Sequence, residues 1–337
     1  MVKPVRYEDV ARLAGVSVAT VSRALNNSAD VNTQTRQRIW RIAQDAGYAF
    51  RPNMPVSVGD AERILSVVIP TPQGRVGALS DPFFSELVGA VAQAAHEAGA
   101  DVMLHHATPR NYEELASLVE GSRADGTLLL GQSVLHEPLN RLAAGGAPFV
   151  VWGADLPGQG YASVGSDNIA GGRRATRHLL SLGRRSIAFL GDPEAPEIEQ
   201  RQEGYAQALA EAGVDYAPTL SIPVRSDVTS AQAVVDGMIA RGMEFDAIFA
   251  GSDLIALGAI EAVRRAGRSV PGDVSVVGYD DLGMARHARP RLTTVPQDLQ
   301  EAGRLMVAKL LSARGPGDIT SQRLRTELKV RESCGAG

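Results

Sequence analysis

Ser17, Thr20, Ser22 and Arg23 fall within one short amphipathic segment, Ser17-Val18-Ala19-Thr20-Val21-Ser22-Arg23-Ala24-Leu25. Hydroxyls and a guanidinium on one exposed helix face, beside small residues, can enter a DNA major groove and hydrogen-bond there. A second chemistry is spelled far along the chain. Asp280 follows an apolar strand, Ser275–Gly278, and its carboxylate can accept hydrogen bonds from two neighbouring hydroxyls of a sugar ring. Arg201 opens a helix after the loop 192–200, and its planar fork can bridge two ligand oxygens. The competing role for both is a salt bridge, with each other or at the surface. Phe84 and Trp152 could stack on a sugar face or fill the core.

The elements that must position these groups are legible. Val10, Ala11, Leu13 and Ala14 recur at helical spacing, and Ala14-Gly15-Val16-Ser17 reads as a tight turn. Gly15 suits the reversal, and Ser17 is an N-cap for the next helix. Val16, Val21 and Leu25 face the first helix, which leaves Val18, Ala19, Thr20, Ser22 and Arg23 outside. A third helix starts from a cap at Asn32 or Thr33, with Ile39, Ile42, Ala43 and Ala46 as its buried stripe. This is the pattern of a helix-turn-helix, and the expected headpiece is 1–49.

A break follows at Phe50 to Glu62, where two prolines, an Asn and a Gly mark a linker, 50–63. From 64 to 337 apolar strands alternate with helices. The strands expected are Leu65–Ile69, Val102–His105, Thr127–Leu130, Phe149–Trp152, Ser186–Leu190, Ala247–Ala250 and Ser275–Gly278. Helices are expected at Phe83–Ala98, Asn168–Leu182, Gln202–Ala212, Ala231–Arg241 and Leu254–Ala266. Such alternation predicts doubly wound parallel sheets, too many units for one, hence two α/β lobes centred on 64–155 and 166–285. The tail, Leu292–Val295 and a helix at Leu299–Ser312, is expected to cross back toward the first lobe. Ligands of such sheets sit beyond the carboxyl ends of the strands, here between the lobes.

Composition narrows the function. The net charge is −4, yet residues 1–53 hold eight Lys or Arg against four acids, leaving −8 for the remainder. A basic headpiece on an acidic body suits local, salt-dependent DNA affinity. No run of 18 apolar residues suggests a membrane span, and Met1-Val2-Lys3-Pro4 leads into a polar helix without a signal region. One cysteine, Cys334, excludes an intrachain disulfide and a cysteine-cluster metal site. The six histidines lack metal-ligand spacing, and no nucleophile elbow, P-loop or dinucleotide fingerprint appears. The expectation is therefore a cytoplasmic protein that is not an enzyme and uses no cofactor or metal.

The segment Asp9–Asn26, with Val31-Asn32-Thr33, Thr35-Arg36 and Ala46-Gly47-Tyr48, resembles the headpiece of the LacI/GalR family of bacterial repressors. The resemblance continues through Asp81-Pro82-Phe83-Phe84, Ala124-Asp125-Gly126, Ser166-Asp167-Asn168, Leu182–Ala188, Arg201 with Gly204-Tyr205, Ser252-Asp253, Val276–Asp281 and Leu292–Val295 with Gln297. It implies a helix-turn-helix headpiece on a two-lobed core of the periplasmic-binding-protein type, acting as a homodimer on operator DNA under a small-molecule effector. On that resemblance Val18, Ala19 and Arg23 read base edges, and Ser17, Thr20, Ser22, Asn26 and Thr35 contact phosphates. Arg201 and Asp280, and less uniformly Ser252 and Gln297, bind the effector, with Phe84 and Trp152 as candidate stacking rings.

Two departures qualify the match. Many relatives place an Asp after the fourth strand where this chain has Gly153; Asp155 follows two residues on. Relatives also carry a hinge helix with a wedging Leu, whereas here Asn53-Met54-Pro55-Val56-Ser57-Val58 has none, leaving Asn53 as a cap and Met54, Val56 or Val58 as smaller wedges. A sugar is the expected effector and regulation of carbohydrate genes the expected role. The alternatives are a regulator sensing a purine or another non-sugar ligand and, more distantly, a transport-type sugar-binding protein. The last residues carry no Leu heptads, so a dimer is expected rather than a zippered tetramer.

Overall fold

The computed structural model describes residues 5–25, 31–46, 63–70, 81–107, 109, 111–121, 124–132, 135–192, 194–313 and 319–336. Asn26, the linker residues 50–62 and with them Asn53, Met54, Val56 and Val58 lie outside the described residues. Contacts divide the chain into two units, Met1–Asp60 and Ala61–Gly337.

In the first unit α1 spans Tyr7–Ala14, α2 Val18–Leu25 and α3 Thr33–Asp45. The Asp9 carboxylate accepts from the Arg6 N–H at the start of α1 (3.0 Å). Gly15 ends that helix at φ 65°, a left-handed conformation that a side chain would strain. Ser17 Oγ then accepts from the Thr20 N–H (3.1 Å), the N-cap that the sequence predicts. Asn32 rather than Thr33 caps α3, its Oδ1 taking the Thr35 N–H (2.8 Å). Val10, Ala14, Val21, Ala24, Leu25, Val31, Ile39 and Ala43 close the core, and Arg38 donates to the terminal carbonyl of Ala14 (2.9 Å). Leu13 departs from the expected stripe: it is 59% exposed, because α1 buries only the narrow row Val10, Ala11 and Ala14. Ile42 and Ala46 are half-buried.

The second unit holds two all-parallel sheets. The first orders β11 (Gln322–Leu324), β5 (Ser163–Ser166), β4 (Phe149–Trp152), β3 (Gly126–Leu130), β1 (Arg63–Pro70) and β2 (Ala100–Ala107). The second orders β10 (Thr293–Pro296), β9 (Ser275–Asp280), β8 (Ala247–Ala250), β6 (Ile187–Gly191) and β7 (Ser221–Pro223). This is the doubly wound two-lobed α/β architecture that the sequence predicts. On the first sheet α4 (Pro82–Glu97) packs with α12 (Leu299–Ser312), and α5 (Tyr112–Glu120) and α6 (His136–Ala144) cover its other face. Around the second lie α7 (Asn168–Ser181), α8 (Pro196–Glu211), α9 (Val228–Ala240), α10 (Asp253–Arg265) and the short α11 (Gly283–His287).

Three expectations need correction. The helix of Arg201 begins at Pro196, not Gln202, so Arg201 lies well inside α8 rather than at its start; Pro196 at the first position and acids at 197 and 199 favour the earlier nucleation. The tail strand Thr293–Pro296 stays with the second sheet, and only α12 crosses to the first lobe. Residues 163–166, which fall between the expected lobe centres and at the start of the second (166–285), form β5 of the first sheet. The tail stays with the first lobe through β11 and crosses to the second after it. Leu324 pairs with Ser166 in the first sheet, Lys329 bridges Thr294 in the second lobe, and Cys334 ends in that lobe's core.

Candidate functional site

The outer face of α2 stands clear of its own core. Ser17, Val18, Ala19 and Arg23 are exposed and Thr20 and Ser22 half-buried, while Val21, Ala24 and Leu25 lock the helix to α1 and α3. Ser17 and Thr20 hydroxyls bond each other at 2.8 Å. Thr35 is half-buried in the first turn of α3.

Between the lobes, polar residues that should be in water are buried. Arg201 is 4% exposed and Asp280 6%. A buried guanidinium needs partners for its fork, and Arg201 has them. Its Nε donates to Asn168 Oδ1 (2.9 Å), its Nη1 donates to the Gly251 carbonyl (2.6 Å), and its Cζ lies 3.7 Å above the centre of the Tyr279 ring. Asp280 is 3.7 Å from Nη1, a buried ion pair without tight contact. The mutual salt bridge is thus present, in a cluster at the carboxyl ends of β8 and β9. Asp280 and Asp281 sit at φ 118° and 58°, positions that cost non-glycine residues of order 1–3 kcal/mol and recur at functional sites.

Gln297 brackets this centre: its amide N donates to Asp280 Oδ1 (2.7 Å), and its carbonyl accepts from Ser166 Oγ (2.8 Å). Ser252 caps α10, accepting from Ile255 N–H (3.3 Å), and bonds Ser226 (2.8 Å). Phe84, half-buried near the start of α4, faces Gly131; a Cβ built there would meet its ring at 3.9 Å. Trp152 is 4% exposed in the first-lobe core, against Phe83 (6.1 Å between centroids). Asp253, fully buried, accepts from Leu282 N–H (2.9 Å) and Thr294 Oγ1 (2.6 Å).

Sequence reasoning singled out neither Asn168 nor Asp253 as a site residue, although both stand inside motifs it quoted. Gln132 carried no signal at all, yet it accounts for Gly153. Its amide is paired with Ala154 main chain in both directions (2.8 and 2.9 Å) and donates to Tyr161 Oη (2.9 Å). A Cβ at 153 would lie 2.5 Å from Gln132 Cδ. Asp155 is 64% exposed and 3.5 Å from Arg323. Among the described residues no group of three His, Cys, Asp or Glu is arranged to hold a metal.

Burial pushes the Asp280 carboxyl up to about 7, against the opposing pull of Arg201 and the Gln297 amide; nearby Asp81 adds to the rise. Burial, with neighbouring Asp280, also pushes Asp253 well above the ordinary range. The folded protein therefore holds protons that the unfolded chain releases, so stability is fullest below about pH 4 for these groups and is lost as pH rises through about 7. Asp280→Asn is expected to remove a fall of order 2 kcal/mol between about pH 5 and about pH 8, read from urea midpoints. An unchanged slope in the variant would place the titration elsewhere.

A three-helix unit with a helix-turn-helix and a two-lobed α/β core with a buried polar cluster at its strand ends are the parts of a DNA-binding regulator. The comparisons agree. The description "Bacterial regulatory proteins, lacI family" matches residues 7–53, and "Periplasmic binding protein-like domain" matches 176–334. The transcriptional regulator CelR of Thermobifida fusca is 37% identical over 97% of each chain, and GalR of Escherichia coli K12 is 31% identical over 86% of this chain and 83% of its own. A CelR–cellobiose complex superposes with a TM-score of 0.69 at 34% identity, covering 98% of this chain and 99% of that one. The Lac repressor dimer bound to operator and the anti-inducer ONPF gives 0.70 at 25% identity, with 98% and 99% covered. The chain belongs to the LacI family: it is a transcriptional regulator, not an enzyme. Among the described residues no helix is long and apolar enough to cross a membrane.

Proposed function

We propose that this regulator is a homodimeric repressor of carbohydrate-utilisation genes, released from or locked onto its operator by a neutral sugar held between the lobes. The buried Arg201–Asp280–Asn168 cluster carries this reading. It offers a charged donor, a charged acceptor and a neutral amide at the strand ends, which suits adjacent hydroxyls. Arg201 and Asp280 are the principal contacts, with Ser252 lining the second lobe and Gln297 holding Asp280. Phe84 supplies an apolar face from the first lobe, with Trp152 behind it. The relative solved with cellobiose makes a β-linked disaccharide the first ligand to try.

On DNA, Val18, Ala19 and Arg23 read base edges in successive major grooves of a pseudo-palindrome, while Ser17, Thr20, Ser22, Asn26 and Thr35 fix register on phosphates. The proposed boundaries are a headpiece at 1–49, a linker at 50–63 and a core at 64–337. Fluorescence anisotropy with promoter DNA, with and without mono- and disaccharides, tests the reading. Salt-sensitive binding that one sugar changes is expected. Binding that only purines or phosphorylated sugars change would replace the effector class, and binding to no fragment would overturn the operator role. Arg23→Ala is expected to weaken specific binding by about 1–3 kcal/mol and relax preference at one base pair; an unchanged affinity would remove Arg23 from base reading.

A further inference from the structure

The first turn and a half of α8, which the sequence leaves in a loop, reaches across the cleft. Gln200, the residue before Arg201, donates its amide N–H to the Asp155 carbonyl in the first lobe (2.8 Å). The Asp155 carboxylate lies 3.5 Å from Arg323 of the edge strand β11. Arg323 in turn donates to the Gly153 carbonyl (3.2 Å) and to Ser163 Oγ (2.5 Å), while its buried Nε has no partner. At a second point Glu86 of α4 accepts from the Gly283 N–H across the same cleft (3.1 Å). With the Ser166–Gln297 bond, these contacts join the two lobes face to face, a closed arrangement.

We propose that Gln200 of the second lobe, with Asp155 and, beside it, Arg323 of the first, forms a latch that sets the equilibrium between closed and open lobes and so the strength of the effector response. The inference rests on the effector reading above. These are positioning residues. Arg201 is anchored within its own lobe by Asn168 and the Gly251 carbonyl, so the latch adds nothing to its local geometry. It stabilises the arrangement in which a ligand on Arg201 also meets the first-lobe wall. A ligand that needs the closed state binds with an apparent affinity scaled by the fraction closed, so a weaker latch lowers affinity without removing a ligand contact. It also explains Asp155. Its carboxylate is committed to the latch and not to the place left by the missing Asp at 153.

The test is calorimetric titration of the full-length protein with cellobiose or whichever sugar the panel selects, for the parent, Gln200→Ala, Arg323→Gln and the double variant. Each single variant is expected to raise Kd about 5-fold, the worth of one ordinary hydrogen bond. The double should fall short of the product, because Asp155 links the two residues. Stopped-flow fluorescence of Trp152, beside Gly153, should show faster dissociation with association nearly unchanged. A merely structural defect would instead lower the thermal midpoint and leave the dissociation rate alone, and that result would overturn the latch. So would a Kd within twofold of the parent in both variants. Should no ligand bind the parent, the effector reading fails and hydrogen exchange of the ligand-free protein decides the latch. Faster exchange around 153–163 in Gln200→Ala supports it, and unchanged exchange overturns it.

Discussion

Arg201→Met is expected to abolish the effector response while leaving operator binding intact. The guanidinium makes three different contacts, to Asn168, to the Gly251 carbonyl and to the face of Tyr279, and stands 3.7 Å from Asp280. Truncating one partner of a buried charge pair costs about 3–5 kcal/mol, which if felt in ligand affinity corresponds to a loss of roughly two to three and a half decades. Arg201→Lys should not rescue the response, because an ammonium cannot donate from Nε and Nη1 in one plane while lying flat on a ring. Stability will fall less than that figure, since Asp280, already raised to about 7, takes a proton when its counter-charge is gone. The double variant Arg201→Met with Asp280→Asn should regain stability but not sugar sensitivity. Anisotropy with labelled operator across a sugar titration separates these outcomes, and a surviving response in Arg201→Met would move the effector away from this cluster.

Gly172→Ala is the second large effect, and it acts through the fold. A Cβ at 172 would stand 2.1 Å from the carbonyl oxygen of Arg201, and one at Gly204 2.1 Å from the carbonyl of Ile169. The two helices α7 and α8 touch backbone to backbone through these reciprocal glycines, so no flexible side chain can yield. Overpacking costs about 1–3 kcal/mol and occasionally more, and here the upper end is expected. The residue pushed aside is Arg201 itself, so sugar affinity should drop by more than the stability loss explains. Gly237→Ala in α9 is the control, since its nearest neighbour is the tip of the Arg241 side chain at 3.5 Å. It should be neutral or stabilise by up to about 1 kcal/mol. Urea unfolding of both variants decides the matter; equal midpoints would mean that the helices can separate at no cost.

Much of this arrangement could be read from residue types. The helix-turn-helix was legible because Gly15, Ser17 and the apolar positions each demand one local conformation. Strands such as Phe149–Trp152 and Ala247–Ala250 were found to the residue because buried parallel strands are unbroken apolar runs. What escaped were β5, β7 and β11, three or four residues long and rich in Ser, Gly, Gln and Arg, which pair only because a neighbouring strand end is already in place. Within the site, Arg201 and Asp280 stood out as charges beside apolar segments. Gln132 did not, since a neutral amide after a strand has no periodicity to betray it; its role follows only from the space that Gly153 vacates. The early start of α8 was hidden by Glu197 and Gln200, polar residues that read as loop until Gln200's partner in the other lobe is known.

The order in which the chain visits its two lobes has a consequence for its birth. Leu299, Met306, Val307 and Leu310 lie in the core of the first lobe, and Gln322–Leu324 supply its last strand, yet they are made after nearly all of the second lobe. A ribosome that has released residues 63–166 has therefore produced a half-covered sheet, its apolar face waiting for a helix some 130 residues away in the message. The second lobe waits too, for Cys334 and its neighbours at the extreme end. Neither lobe can close until these late residues, up to Cys334, have been made. A message cut short in its last few dozen codons would yield a chain whose DNA-reading unit is whole and whose sensor never forms.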